Sequence, residues 1–293
     1  MGKIVFKIIY SVLIIAYAHS YHAQNIHVFY ELKYKPASND STVRKEDMLL
    51  TIDANTQQSI FQSRGKTVND SIYRAINSEP NPSSVFISNL EQKLISYSFY
   101  GKIIKDPAEN SYLSIESVMR NLYKVPYQFD TTWTLLPDTK KIIKYECKNA
   151  SIEFAGRKWI AWYSSEIPLS DGPYKFRGLP GLILEISSVD GDYTYTLKGL
   201  QKSARSSNLI IPKAIAVNPK ELMKLKENTA KDPAASFRQS MAGFNKEKVG
   251  VSISYNGGPQ RTDNEAAEAI NQEIWNWLKS HDNPIEKGDL WLK

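Results

Sequence analysis

A chain of 293 residues that is 42% hydrophobic and 23% charged has the composition of an ordinary globular protein, long enough to bury a sizeable core. Its formal charge of +6 is small and scattered, which excludes the basic stripe that nucleic-acid binding requires. The single cysteine, Cys147, rules out an internal disulfide and is expected to be a buried thiol.

The chain opens with Lys3 and Lys7, an apolar run at residues 8–18, and a small-residue exit ending in Ala23-Gln24. About eleven apolar residues fall short of the roughly 20 that a spanning helix needs, so the segment reads as a secretory signal peptide. Cleavage is expected after Ala23, with Ala16-Tyr17-Ala18 offering the alternative cut after Ala18. Residues 24–293 are then expected to form one soluble β-rich domain, exported to the periplasm or the medium and carrying no integral membrane span. No cysteine near the exit offers a site for lipid attachment.

Beyond the exit, 26–34 alternates apolar and polar residues and predicts a strand with one buried face. Further strands are predicted at 48–54, 59–63, 85–89 and 93–100, with 64–77 as a short helix and Glu79-Pro-Asn-Pro82 as a breaker. A denser β region runs from Phe129 to Leu200. It includes a turn at Pro137-Asp138, an alternating run at 141–154, a hairpin turn at Ala155-Gly156-Arg157, a strand at 158–163, and the turn Asp190-Gly191-Asp192 joining 182–189 to 193–200. Turns this short make the strands antiparallel. Helices are expected only late: one opened by Pro219 and interrupted at Asp232-Pro233, and 263–280, capped by Asp263 or Asn264, with Ala267, Ile270, Ile274, Trp277 and Leu278 on the face that packs on the sheet. The fold class is therefore mainly β with late helices (α+β): a curved antiparallel sheet or open half-barrel with helices packed on one face.

The most distinctive segment is Gly172-Pro-Tyr-Lys-Phe-Arg-Gly-Leu-Pro-Gly-Leu-Ile183. Gly172, Pro173, Gly178, Pro180 and Gly181 are structural turn residues, and Leu179-Pro180-Gly181-Leu182 predicts a type II turn with Gly181 at positive φ. Between the turns stand Tyr174, Lys175 and Arg177. With Arg157 and Trp162 they are the candidate ligand- or partner-binding residues. Strand alternation puts Arg157, Trp159 and Ala161 on one face and Lys158, Ile160 and Trp162 on the other, so the two tryptophans do not share a cleft.

Catalytic signatures are few. His19 and His22 lie in the signal segment, leaving His27 and His281, with no zinc-type spacing, no Gly-rich phosphate loop and no Gly-x-Ser-x-Gly. No catalytic residue, metal ligand or cofactor is assigned. Carboxylates are abundant, but a catalytic pair is a spatial fact.

Trp133, Tyr145-Glu-Cys147-Lys-Asn-Ala150, Phe154-Ala-Gly-Arg157, Ala161-Trp-Tyr163, Glu166-Ile-Pro168, the 172–183 segment and Asn283-Pro-Ile-Glu286 together resemble the motif series of the GLPGLI family, envelope proteins of Gram-negative bacteria without an assigned activity. That family commonly has glycine where this chain has Lys144. The resemblance implies a compartment and a fold neighbourhood, and no catalytic residues. The function expected is a non-enzymatic binding or accessory protein of the cell envelope, its partner an envelope protein, peptide or lipid. The alternative is an envelope hydrolase acting through carboxylates.

Overall fold

The computed structural model describes residues 25–119, 121–130, 132–203, 211–242, 253–254 and 260–292, so the segment read as a signal peptide lies outside the described residues. The fold is mainly β with helices, built on one open twelve-stranded sheet. In chain order its strands are β1 (Asn25–Tyr34), β2 (Arg44–Asp53), β3 (Ser59–Ser63), β4 (Lys102–Asp106), β5 (Ser111–Val118), β6 (Asn121–Gln128), β7 (Thr134–Ile142), β8 (Tyr145–Phe154), β9 (Arg157–Ser164), β10 (Leu182–Ser188), β11 (Tyr193–Ser203) and β12 (Ile215–Ala216). They lie in the order β12-β6-β5-β4-β3-β2-β1-β11-β10-β9-β8-β7. All neighbours are antiparallel except β12, which runs parallel to β6. The longest-range pairing, β1 with β11, closes two meanders into one sheet.

Alternation decides the faces. Val28, Tyr30, Leu32 and Tyr34 of β1 are buried, and the same face carries Trp159 and Ala161 on β9 and Tyr193 and Tyr195 on β11. The connection between β9 and β10 crosses this face: its Phe176 packs on Trp159 while its Lys175 reaches Tyr127 on β6. One loop touching strands so far apart in the sheet order shows that the sheet curls around it.

Five helices are described. α1 (Arg64–Ser78) is capped by Ser63, and α2 (Ser84–Glu91) by Ser83. α3 (Pro219–Lys231) carries a capping box from Asn218 and Glu221, and α4 (Ala235–Ala242) follows the interruption at Asp232. α5 (Asp263–Ser280) begins with Thr262 as N-cap and Glu265 completing the box, rather than with Asp263 or Asn264. Its Ile274 joins Leu222 of α3 and Val118, Tyr123 and Val125 of the sheet in a second core cluster.

Several expectations from the sequence are corrected. Helices do not wait for the end of the chain: α1 matches the short helix expected at 64–77, and α2, also in the first third, was not foreseen. Residues 85–89 belong to α2, because a short apolar run fits either period and the Ser83 side chain, accepting from Phe86 N–H at 3.1 Å, starts a helix. Residues 93–100 form no strand: Asn69 pairs both peptide groups of Ile95 at 2.9 Å, and Glu46 takes the N–H of Ser98 at 2.8 Å. Side chains there replace a ladder. Pro137-Asp138 is not a turn but an irregularity inside β7, where the register shifts between Leu135 and Thr139. The run at 141–154 breaks instead at Ile143-Lys144, with Ile143 at φ 56°. β4, β5 and β6 have no counterpart among the predicted elements. Cys147 is buried on β8, where burial pushes its thiol up.

Candidate functional site

The connection between β9 and β10 is pinned before it presents anything. Lys105 on β4, 1% exposed, donates to Asp171 Oδ1 at 2.5 Å and to the Gly172 carbonyl at 2.6 Å, while Ser59 donates to Asp171 Oδ2 at 2.6 Å. Burial lowers the Lys105 ammonium and Asp171 opposes that shift. A Cβ on Gly172 would stand 2.7 Å from Ile183 Cδ1, so only glycine lets the segment lie flat on β10.

The second turn differs from the type II geometry expected. Gly181 N–H donates to Leu179 O at 2.8 Å, and Leu182 N–H goes to Ile167 O at 3.0 Å instead of closing back on Leu179. The tight closure is thus centred on Pro180. Gly181 does take positive φ, 146°, and it lies so close to β9 that a Cβ would be 2.1 Å from Ser164 O.

Between the pins, Tyr174 is held at φ 52°, unusual for a bulky residue. Its hydroxyl and the Lys175 ammonium both donate to Glu286 Oε1. Lys175 is 3% exposed and lies 4.9 Å from the Tyr127 ring centroid, 5.3 Å from that of Tyr174 and 5.4 Å from that of Tyr112. Burial, partly offset by Lys175, pushes the Tyr127 hydroxyl up to about 12.

Glu286 belongs to the segment after α5, which crosses the same face as a strap. Arg157 holds it. Its guanidinium donates to Asn283 Oδ1 at 2.5 Å, Pro284 O at 2.9 Å and Ile285 O at 3.0 Å, and on its other side to Asp190 at 2.5 Å and Asp192 at 3.0 Å. Tyr193 adds a hydroxyl bond to Asn283 O at 2.5 Å. Farther along the strap, Asp289 accepts from Lys226 of α3 at 2.8 Å, and Lys226 also meets Glu116 of β5 at 2.6 Å. Burial raises Asp289 despite the lysine. Burial acts the same way on Glu116, but there Lys226 prevails and the carboxyl is held below its usual value. The two carboxylates on either side of one ammonium are thereby pushed apart.

These groups border a cavity of about 130 Å³ between the strap and the sheet. Its walls include Phe61, Phe99, Tyr100, Tyr174, Tyr195 and Trp291. Tyr195 is fully buried, yet its hydroxyl has no hydrogen-bond partner among the described residues, whereas the nearby buried hydroxyls of Tyr30, Tyr174 and Tyr193 are all engaged.

Of the five candidate binding residues, Arg157, Tyr174 and Lys175 converge on the strap, and Tyr174 also lines the cavity. The other two lie apart. Trp162 sits on the opposite face of β9 under the Lys140 ammonium at 4.3 Å, and the Arg177 guanidinium stacks 4.6 Å from the Phe129 ring centroid. Glu116, Lys226, Asp289 and Tyr195 were not foreseen. The signal for Lys226 was present, because it stands four residues after the buried Leu222, on the apolar face of α3. Among the described residues no group of three or more His, Cys, Asp or Glu is placed to hold a metal.

Residues 153–185 match the model of a family described as a protein of unknown function, Porph_ging. This is the stretch that supplies Arg157, Tyr174 and Lys175. No curated protein matches the chain. Among solved structures, PNGF-II in a C2 crystal form is similar over 69% of this chain and 32% of its own, with TM-score 0.48 and 11% identity. The P21 form gives TM-score 0.47 and 12% identity over 69% and 33%. The chain thus spans about a third of the PNGF-II chains it resembles. Among the described residues no helix is long and apolar enough to cross a membrane.

Proposed function

We propose that this chain is an exported envelope protein of the GLPGLI type that acts by binding, without catalysis, and that its ligand site is the cavity beneath the strap. The family part of this reading is supported by the motif series and by the match at 153–185. Export is supported by Lys3, Lys7 and the short apolar run before Ala23, and N-terminal sequencing of periplasmic material tests it: a protein still starting at Met1 contradicts it.

The observation that carries the binding reading is the cavity itself, walled by aromatic side chains, with its bordering carboxylates Glu116, Glu286 and Asp289 already engaged by lysines. Because the loop and strap fill most of the concave face, the remaining space suits a small molecule or one side chain of a partner better than an acyl chain. Native mass spectrometry of the protein from a periplasmic extract is expected to show a noncovalently bound species. Only the unliganded mass, even after incubation with concentrated extract, overturns the proposal.

A second reading, a hydrolase working through carboxylates, draws on the opposite shifts of Glu116 and Asp289. Against it, the ammonium of Lys226 stands between the two acids and occupies both. Hydrolysis of an envelope glycan or peptide by the protein, abolished in both Glu116→Gln and Asp289→Asn, would favour it.

A further inference from the structure

We infer that the side of α1 carrying Lys66, Asp70 and Arg74, together with Tyr97 of the connection that follows and Lys102 at the start of β4, is a binding site for a phosphate group, free or carried as a monoester. The site goes beyond the cavity reading above and does not depend on it, although Tyr100, Gly101 and Lys102 also line that cavity.

The fold gathers these groups from three segments. Residues 66, 70 and 74 are spaced by four and share one side of α1. The connection to β4 lies along that helix: Asn69 pairs with the N–H and C=O of Ile95, and a Cβ on Gly65 would stand 3.1 Å from Tyr97 Cβ. Tyr97 and Tyr100 follow with ring centroids 5.0 Å apart, and Lys102 then opens β4 opposite Gln62 of β3.

What this gathering leaves over is positive charge. The buried lysines elsewhere are matched, Lys105 by Asp171, Lys175 by Glu286, and Lys226 by Glu116 and Asp289. Lys102 is half-buried, and among the described residues its ammonium makes no ion pair or hydrogen bond; even the buried Oε1 of Gln62 across the ladder is left without a partner. Burial pushes this ammonium below its usual value, Lys66 and Arg74 push the same way, and Asp70 opposes them. Asp70 is already spent, because Lys66 donates to its two oxygens at 2.9 and 2.8 Å. Arg74 gives one N–H to the Asp70 carbonyl and one to Ser71 Oγ, with donors to spare.

Three cations against one carboxylate leave two positive charges in a partly desolvated setting. A phosphate monoester carries about −1.5 to −2 charges at pH 7 and three acceptor oxygens, which cancels the excess that a carboxylate would only halve. Tyr97 adds an O–H donor beside Asp70, since burial raises its pKa and Asp70 adds to the effect, keeping the hydroxyl protonated.

The test is calorimetric titration of the whole protein with inorganic phosphate, phenyl phosphate and acetate, at fixed ionic strength so that screening does not imitate binding. Both phosphates are expected to bind more tightly than acetate. Lys102→Gln should weaken them about tenfold or more. Arg74→Glu, at an exposed position, should weaken them about fivefold to tenfold and serves if Lys102→Gln fails to fold. Phenyl phosphate binding more tightly than phosphate assigns the site to an organic monoester whose body extends toward the aromatic-walled cavity; equal or weaker binding assigns it to free phosphate; either outcome supports the site. Acetate matching phosphate, no phosphate binding, or an unchanged phosphate affinity in either folded variant overturns it.

Discussion

Gly181→Ala isolates what the Pro180-Gly181 turn does. The new Cβ would stand 2.1 Å from Ser164 O and 2.8 Å from Ser165 N, where ordinary contact begins near 3.4 Å, so backbone must move by more than 1 Å. The chain around it cannot yield freely. Leu182 N–H is bonded to Ile167 O and Ile183 N–H to Asp171 O, both at 3.0 Å, and Leu182 and Ile183 are fully buried. An alanine at φ 146° adds backbone strain of about 1–3 kcal/mol. Forced movement in a packed core adds about 1–3 kcal/mol more. The total of about 2–6 kcal/mol corresponds to a fall in Tm of roughly 5–20 °C. Urea unfolding of three variants measures it. Gly191→Ala carries positive φ in open space and should cost about 1 kcal/mol; Gly199→Ala, with neither feature, should stay within about 0.5 kcal/mol. If Gly181→Ala proves no worse than Gly191→Ala, the close approach to β9 is not what requires the glycine.

Three further outcomes are expected. Arg157→Lys cannot span Asp190, Asp192 and the three strap oxygens, and should destabilise by about 3–5 kcal/mol while speeding tryptic release of the segment after Lys279; unchanged release would show that the strap is held elsewhere. Glu116→Gln should cost about 2 kcal/mol near neutral pH. Because the Glu116 carboxyl is held below its usual value of 4.5 in the fold, the wild-type advantage is full above that value and lost as pH falls through the lower one, and a gap constant across acid titration would exclude the Lys226 contact as its source. Ile143→Gly, at an exposed turn position with φ 56°, should stabilise by about 0.5–1 kcal/mol in thermal or urea unfolding, and a loss would mean that the side chain contributes more than the strain costs.

Local rules carried the sequence reading as far as single elements. The two-residue period exposed β1, β3 and β9, the apolar stripe exposed α5, and turn chemistry placed the chain reversals at Ala155-Gly156 and Gly191, all of which depend on near neighbours in sequence. The same rules ranked Gly181 as a positive-φ position and put Trp159 and Trp162 on opposite faces, and both hold in the fold. They failed where a distant group supplies the hydrogen bond. Residues 93–100 alternate like a strand, but Asn69 and Glu46, from elsewhere in the chain, take their peptide groups.

The cavity was beyond reach for the same reason. Tyr174 and Lys175 stood out by composition, and Asn283-Pro-Ile-Glu286 by motif, yet their meeting depends on the sheet curling until β9, α3 and the strap share one face. Glu116 and Asp289 read singly as ordinary surface charges, and Lys226, marked by its place on the apolar face of α3, gives no sign of which acids it meets. Which charges become buried partners, and which hydroxyl is left unspent, is set by distances between chain segments far apart in sequence, and only tertiary packing determines those.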